Sequence, residues 1–154
     1  AGASRMTPRN AADLNATSHL RQLTTLTERL TGRLVEESRA FEARRPQDVA
    51  EGIAETRELA NLYRRESAQL KANPAILAGG GAPERKALIR ATEAFEAVLA
   101  RHVLAVEAAR VISEGLVKAI AEEVASARGS PSAYGASGRA AAGDGRAVAL
   151  NRTA

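Results

Sequence analysis

Few side chains in this chain of 154 residues have the types and spacing that chemistry needs. His102 and Ser113 fall on one helical face, but at helical rise they stand roughly 16 Å apart. That is too far for a nucleophile and its base. A histidine on an apolar face, satisfied by a neighbouring helix, is the ordinary reading of His102, and His19, near the start of a helix, reads as exposed or capping. Two distant histidines and no cysteine make a zinc site improbable. The pairs Glu36-Glu37 and Glu122-Glu123 point about 100° apart on a helix and read as solvated face. A di-metal carboxylate bundle needs Glu-x-x-His motifs directed inward from separate helices, and none is present. Gly79-Gly80-Gly81 has no strand before it and no Gly-Lys-Ser/Thr after it, so it is not a phosphate loop. The expectation is a binding protein: no enzyme, no cofactor and no metal.

The elements that hold these residues are helices, dominated by the stretch 83–128. It runs about 45 residues without a proline after Pro83, with Glu84 in its first turn and Gly129 and Pro131 as its expected stop. A continuous helix of that length measures roughly 68 Å, against about 40 Å for a compact ball of this chain length. Its stripe gathers Leu88, Phe95, Val98, Leu99, Ala105, Val106, Ala109, Leu116, Val117, Ile120 and Val124 on about a third of the circumference. Glu96, Glu107, Glu114 and Lys118 lie opposite. Leu104 and Val111, seven residues apart, sit together off that stripe and suggest a second contact.

Composition agrees with helix on helix. Hydrophobic residues make up 45% but aromatics only 3%, so Leu, Ala, Val and Ile must fill the core. No apolar run approaches the ~18 residues a membrane span requires, and no signal-peptide core appears, so the chain reads as cytoplasmic. The net charge of +4 raises nucleic acid as a partner. Acids and bases are interleaved along every helix, however, and much of the excess comes from Arg5, Arg9, Arg139, Arg146 and Arg152 at the ends. That distribution argues against nucleic-acid binding.

Residues 1–12 read as a flexible segment. A first helix spans about 13–45, with Leu20, Leu23, Leu30, Leu34 and Phe41 on its stripe, Leu26 and Val35 widening it, Ser38 interrupting it and Gly32 marking a bend or close approach. Arg45-Pro46-Gln47-Asp48 is a break and a restart, and a second helix covers about 46–72. Its seam of Val49, Ile53, Thr56, Ala60, Tyr63, Ser67 and Leu70 is only half apolar, helped by Leu59 and Leu62. A second copy of the chain could complete so thin a helix, which raises a homodimer. Asn73-Pro74 ends it, residues 75–78 form at most a turn, and the three glycines read as a flexible joint. Residues 129–154 read as a flexible docking tail, with Tyr134-Gly135, Gly138 and the apolar Val148 and Leu150. The fold class is all-α: an elongated antiparallel helical hairpin or three-helix bundle with coiled-coil-like packing and flexible tails.

The run from His102 to Val124 containing Ser113-Glu114-Gly115-Leu116-Val117, followed by Tyr134-Gly-x-x-Gly138 and Ala149-Leu150-Asn151, resembles the C-terminal half of FlgN-type flagellar export chaperones. The likeness is closest to their alphaproteobacterial, FlbY-like form. Leu62-Tyr63-Arg64-x-Glu66 through Asn73-Pro74 is similar to the family's middle helix and break, and the resemblance covers roughly Leu20 to the end. It implies a cytoplasmic, type III secretion-linked chaperone that masks the amphipathic terminal helices of the hook-filament junction proteins FlgK and FlgL. Helix-in-groove binding needs apolar anchors at i, i+3, i+4 and i+7. Leu104, Val111, Ile112, Leu116, Val117, Ile120 and Val124 are the candidate substrate-facing residues. The resemblance further implies that Tyr134, with Gly135 and Gly138, docks on the export gate protein FlhA. The alternatives are a phasin-like, surface-binding helical protein and a helical regulatory adaptor.

Overall fold

The computed structural model describes residues 7–134, with side chains described to residue 129. Five α-helices occupy the described residues, which contain no strand: α1 Pro8–Glu42, α2 Gln47–Ala50, α3 Ile53–Ala72, α4 Pro74–Gly79 and α5 Ala82–Tyr134. The chain divides into two units, Ala1–Ala109 and Arg110–Ala154. The first holds α1 to α4 and α5 as far as Ala109; the second holds the rest of α5.

Helix α1 begins earlier than the expected Asp13. Thr7 is its N-cap, with Oγ1 accepting a hydrogen bond from the Asn10 amide at 3.3 Å, and Pro8 sits in the first turn. Proline there loses no hydrogen bond and comes with a helical φ, so Pro8 starts the helix instead of marking an unstructured lead. At the other end Arg44 takes φ 59°, while the Arg45 amide bonds Ala40 O and the Arg44 amide bonds Phe41 O. This is a left-handed helix cap built without the usual glycine.

The expected second helix is divided. α2 ends at Ala50, and Gly52 caps the start of α3. A Cβ on Gly52 would collide with the Arg33 guanidinium, which lies across it and reaches Thr56 Oγ1. The expected turn at 75–78 belongs to helix α4, and the glycines after it are packing positions, not a free joint. Gly80 is buried against Leu20, and the Gly81 amide donates to Thr17 Oγ1 at 3.0 Å. By contrast, nothing lies within 4 Å of a Cβ placed on Gly32, so no close approach occurs there.

Cross-helix pairs fix the order within the first unit. Arg33 meets Thr56, and His19 lies 3.4 Å from Glu66, so α1 and α3 run antiparallel. Arg21 meets Glu84 and Glu42 meets Arg101, so α1 and the first part of α5 run parallel. This is an up-down-up three-helix bundle. Its core joins Leu30 and Leu34 of α1, Leu59 of α3 and Phe95 of α5, and then Leu20, Leu23 and Leu88. Tyr63 packs on Phe95 with ring centroids 4.8 Å apart. The buried hydroxyls of Thr24, Thr27 and Ser38 donate to the carbonyls four residues back. Ser38 therefore does not interrupt the stripe; its polar atom is satisfied inside its own helix.

In the second unit α5 is helical through Gly115, and it passes the expected stop at Gly129 and Pro131 to reach Tyr134. Glycine accepts helical dihedrals at a cost of about 1 kcal/mol. Proline's fixed φ is itself helical, although in a helix interior it removes one hydrogen bond and its ring crowds the carbonyl four residues back. Residues 129–134 thus belong to the helix, not to a separate tail.

Candidate functional site

The residues that looked most like chemistry are used for structure. His102 donates from Nε2 to Oε2 of Glu37 at 3.0 Å, and its ring meets Phe41 edge-on at 6.3 Å. Glu37 is 3% exposed, so it does not belong to the solvated face that its place beside Glu36 suggests. Its Oε1 is buried without a hydrogen-bond partner, which leaves His102 as the group that offsets burial of the carboxylate. One helical step accounts for the difference between the two glutamates: Glu36 points outward to Arg33 at 2.7 Å, while Glu37 points between α1 and α5.

His19 is half-buried rather than exposed, facing Glu66 from α1. A cleft of about 490 Å³ beside α2 is lined by Arg33, Glu36, Glu37, Arg45, Asp48 and Glu55 among others. Its ions pair with one another, Arg33 with Glu36 and Arg45 with Asp48, and no nucleophile stands beside a base. Among the described residues no group of three or more His, Asp and Glu could hold a metal ion. No helix of the described residues is long and apolar enough to cross a membrane.

Two ion pairs tie α1 to α5. Arg101 grips Glu42 with two hydrogen bonds, of 2.8 and 2.6 Å, and Arg21 meets Glu84 at 2.8 Å. The Arg101 hydrogen bond holds the Glu42 carboxyl below its ordinary range, and Glu42 in turn raises Arg101. Arg21 likewise lowers Glu84, helped by the Glu84 backbone amide. Sequence spacing had given no sign of these pairs, because the partners lie some sixty residues apart.

The candidate partner-binding residues behave differently. In the first unit, α5 presents Leu88, Ala91, Phe95 and Ala105 to the core. In the second unit every residue from 110 to 129 is exposed. Val111, Ile112, Leu116, Val117, Ile120 and Val124 stand open at 46 to 67%. Ile112, Leu116, Ile120 and Val124 follow the i, i+4, i+8, i+12 row, and Val117 flanks them, so five of the six share one face. Val111 lies on about the opposite side. Leu104, in the first unit, is 71% exposed, and Leu99, Val103 and Val106 are exposed on other sides of the same stretch of α5. Stripe periodicity had assigned Leu99 and Val106 to the core. Tyr134 is the last residue of α5, whereas Gly135 and Gly138 lie outside the described residues.

Such a face can bind apolar surface, and it offers no group for bond making. Isolated exposed hydrophobes are normal; here five of them form a contiguous apolar row on one helical face. The chain is 47% identical over 146 residues to the flagellar basal-body protein FlbY of Caulobacter vibrioides, covering 93% of this chain and 98% of that one. No family model and no solved structure matches it.

Proposed function

The chain belongs to the FlbY family of flagellar basal-body proteins, and from that premise we propose that it serves flagellar assembly as a type III export chaperone. It binds and masks the amphipathic terminal helices of the hook-filament junction proteins FlgK and FlgL in the cytoplasm and delivers them to the export gate protein FlhA. The observation that carries this reading is the apolar row on α5 beyond Arg110, with Leu116 at 60%, Val117 at 67% and Ile120 at 52% exposure. An amphipathic helix laid along it would find anchors at the spacing helix-in-groove recognition uses. Substrate contact along the row falls to Ile112, Leu116, Val117, Ile120 and Val124, a second contact on the opposite side of the helix to Leu104 and Val111, and gate docking to Tyr134, Gly135 and Gly138. No catalytic role belongs to this protein on this reading.

A phasin-like surface binder would want apolar exposure along most of its length. The buried stripe of α5 in the first unit disfavours that alternative.

Calorimetric titration of the full chain with FlgK, intact and lacking its C-terminal helix, tests the proposal. The expected result is tight binding that disappears on deletion, is weakened at least tenfold by Ile120→Asp, and is unchanged by Tyr134→Ala. The last variant should instead lose binding to FlhA. Absence of binding to both FlgK and FlgL would overturn the chaperone reading.

A further inference from the structure

The width of the apolar arc in the second unit carries information about its occupant. At about 100° per residue, Ile112, Leu116, Ile120, Val124 and Val117 span roughly 140° of the helix circumference. Ala119 extends the arc on the Ile112 side, Gly115 extends it further, and both are exposed. A single helix lying along another needs only the narrow seam of two positions per heptad, whereas a helix facing two others carries a stripe wider than about 100°. The first unit supplies an internal standard. There the buried and half-buried positions of α5 from Glu84 to Ala109 span about 160°, from Ala105 at one edge to Arg85 at the other. Two helices cover them: Leu30 and Leu34 of α1 and Leu59 of α3 join Phe95 in one cluster.

We infer that the arc beyond Arg110 takes two helices of one partner chain, placed against α5 as α1 and α3 are in the first unit. This rests on the chaperone reading and adds that the cargo presents a pair of amphipathic helices, not one. The two edges of the arc differ in a way that suits two unlike contacts. On one edge Gly115 and Ala119 are small, and nothing lies within 4 Å of a Cβ built on Gly115, so a backbone can approach closely. On the other edge Val117 and Val124 stand out at 67% and 46% exposure and present branched side chains for packing between ridges.

Other occupants fit less well. The segment after Tyr134 contains Val148 and Leu150 as its only large aliphatic residues, too few to cover five. A second copy packed arc on arc would bring one helix to the contact, and such a pair would leave the outer edges of both arcs in water.

The chain contains no cysteine, so single cysteines can carry a photoactivatable crosslinker at chosen points. Val117→Cys and Ala119→Cys lie at almost the same height on α5 but on opposite edges of the arc, and Lys118→Cys lies on the far face. Each labelled full-length variant is mixed with intact FlgK, irradiated and mapped by mass spectrometry, with complex formation followed by calorimetry. The expected result is that positions 117 and 119 capture two different helical segments of the partner and position 118 captures neither. Capture of one and the same segment from both edges, within an intact complex, would overturn the two-helix inference and leave the chaperone reading standing. Absence of any complex with FlgK or FlgL would overturn both.

Discussion

Helix α5 carries one kind of amphipathic pattern into two settings. Up to Ala105 the face turned to α1 and α3 is covered, with Leu88, Ala91, Phe95 and Ala105 at 7 to 9% exposure; from Arg110 to Gly129 no residue is buried. Periodicity therefore shows that a face exists and says nothing about what covers it. In the first unit the cover is α1 and α3 of the same chain. In the second, the free energy of burying the face remains available for binding.

The sharpest way to break this comparison is to truncate matched hydrophobes and follow urea unfolding. Phe95→Ala, which removes a ring packed on Tyr63, Leu30, Leu34 and Leu59, is expected to cost about 3–5 kcal/mol. A loss below about 1 kcal/mol would mean that the bundle core is loosely packed and that the two units differ less than their exposures indicate.

Next in size is the buried Glu37–His102 pair. His102→Leu strands a carboxylate that is 3% exposed and whose Oε1 already lacks a partner, so a loss of about 1–3 kcal/mol is expected. Adding Glu37→Leu should restore most of it, because two apolar groups leave nothing unsatisfied. If the double variant were no more stable than His102→Leu alone, the histidine would be acting through its edge-on contact with Phe41 and not through the carboxylate.

This pair also marks where the sequence became illegible. The stripe of Leu20, Leu23, Leu30 and Leu34, the breaks at Pro46 and Pro74 and the helical character of α5 follow from 3.6-residue periodicity and from proline and glycine chemistry, both local. Burial of Glu37, grip of Glu42 by Arg101 and packing of Gly80 on Leu20 depend on residues some sixty positions away. Local rules assign such residues their commonest setting: a solvated face for a glutamate beside a glutamate, a joint for three glycines. The N-cap at Thr7 is legible in principle, since Thr-Pro is a helix-start signal, but residues 1–12 hold no periodic apolar stripe to support it. Among the partner-binding candidates, helical spacing places Ile112, Leu116, Val117, Ile120 and Val124 on one face; whether that face is open is a tertiary property that spacing cannot express.

The ion pairs of the first unit give a smaller, pH-dependent contrast. Glu42 and Glu84 both have carboxyls held below the ordinary value of 4.5 by Arg101 and Arg21. A lowered folded-state value means that the unfolded chain binds the proton more readily, so these pairs stabilise the fold above that ordinary value. Their contribution is lost as pH falls through the lowered values. Urea unfolding at a series of pH values from neutral downward should show an acid decline that flattens in a Glu42→Gln, Glu84→Gln double variant. An unchanged acid limb would assign the decline to other carboxylates.

The smallest expected effect on folding discriminates most about function. Ile120→Gln replaces an apolar side chain that is 52% exposed by a residue of higher helix propensity, so folding stability should move by no more than about 0.5 kcal/mol. On the chaperone reading, binding of FlgK should still fall at least tenfold, because an anchor of the arc is gone. Run at two protein concentrations, the same unfolding measurement separates the occupants. A loss of about 2 kcal/mol in the variant, together with a wild-type midpoint that rises with concentration, would show that a second copy covers the arc in the free protein. A concentration-independent midpoint with unchanged stability leaves the arc open for a partner, which is the condition that a chaperone face has to meet.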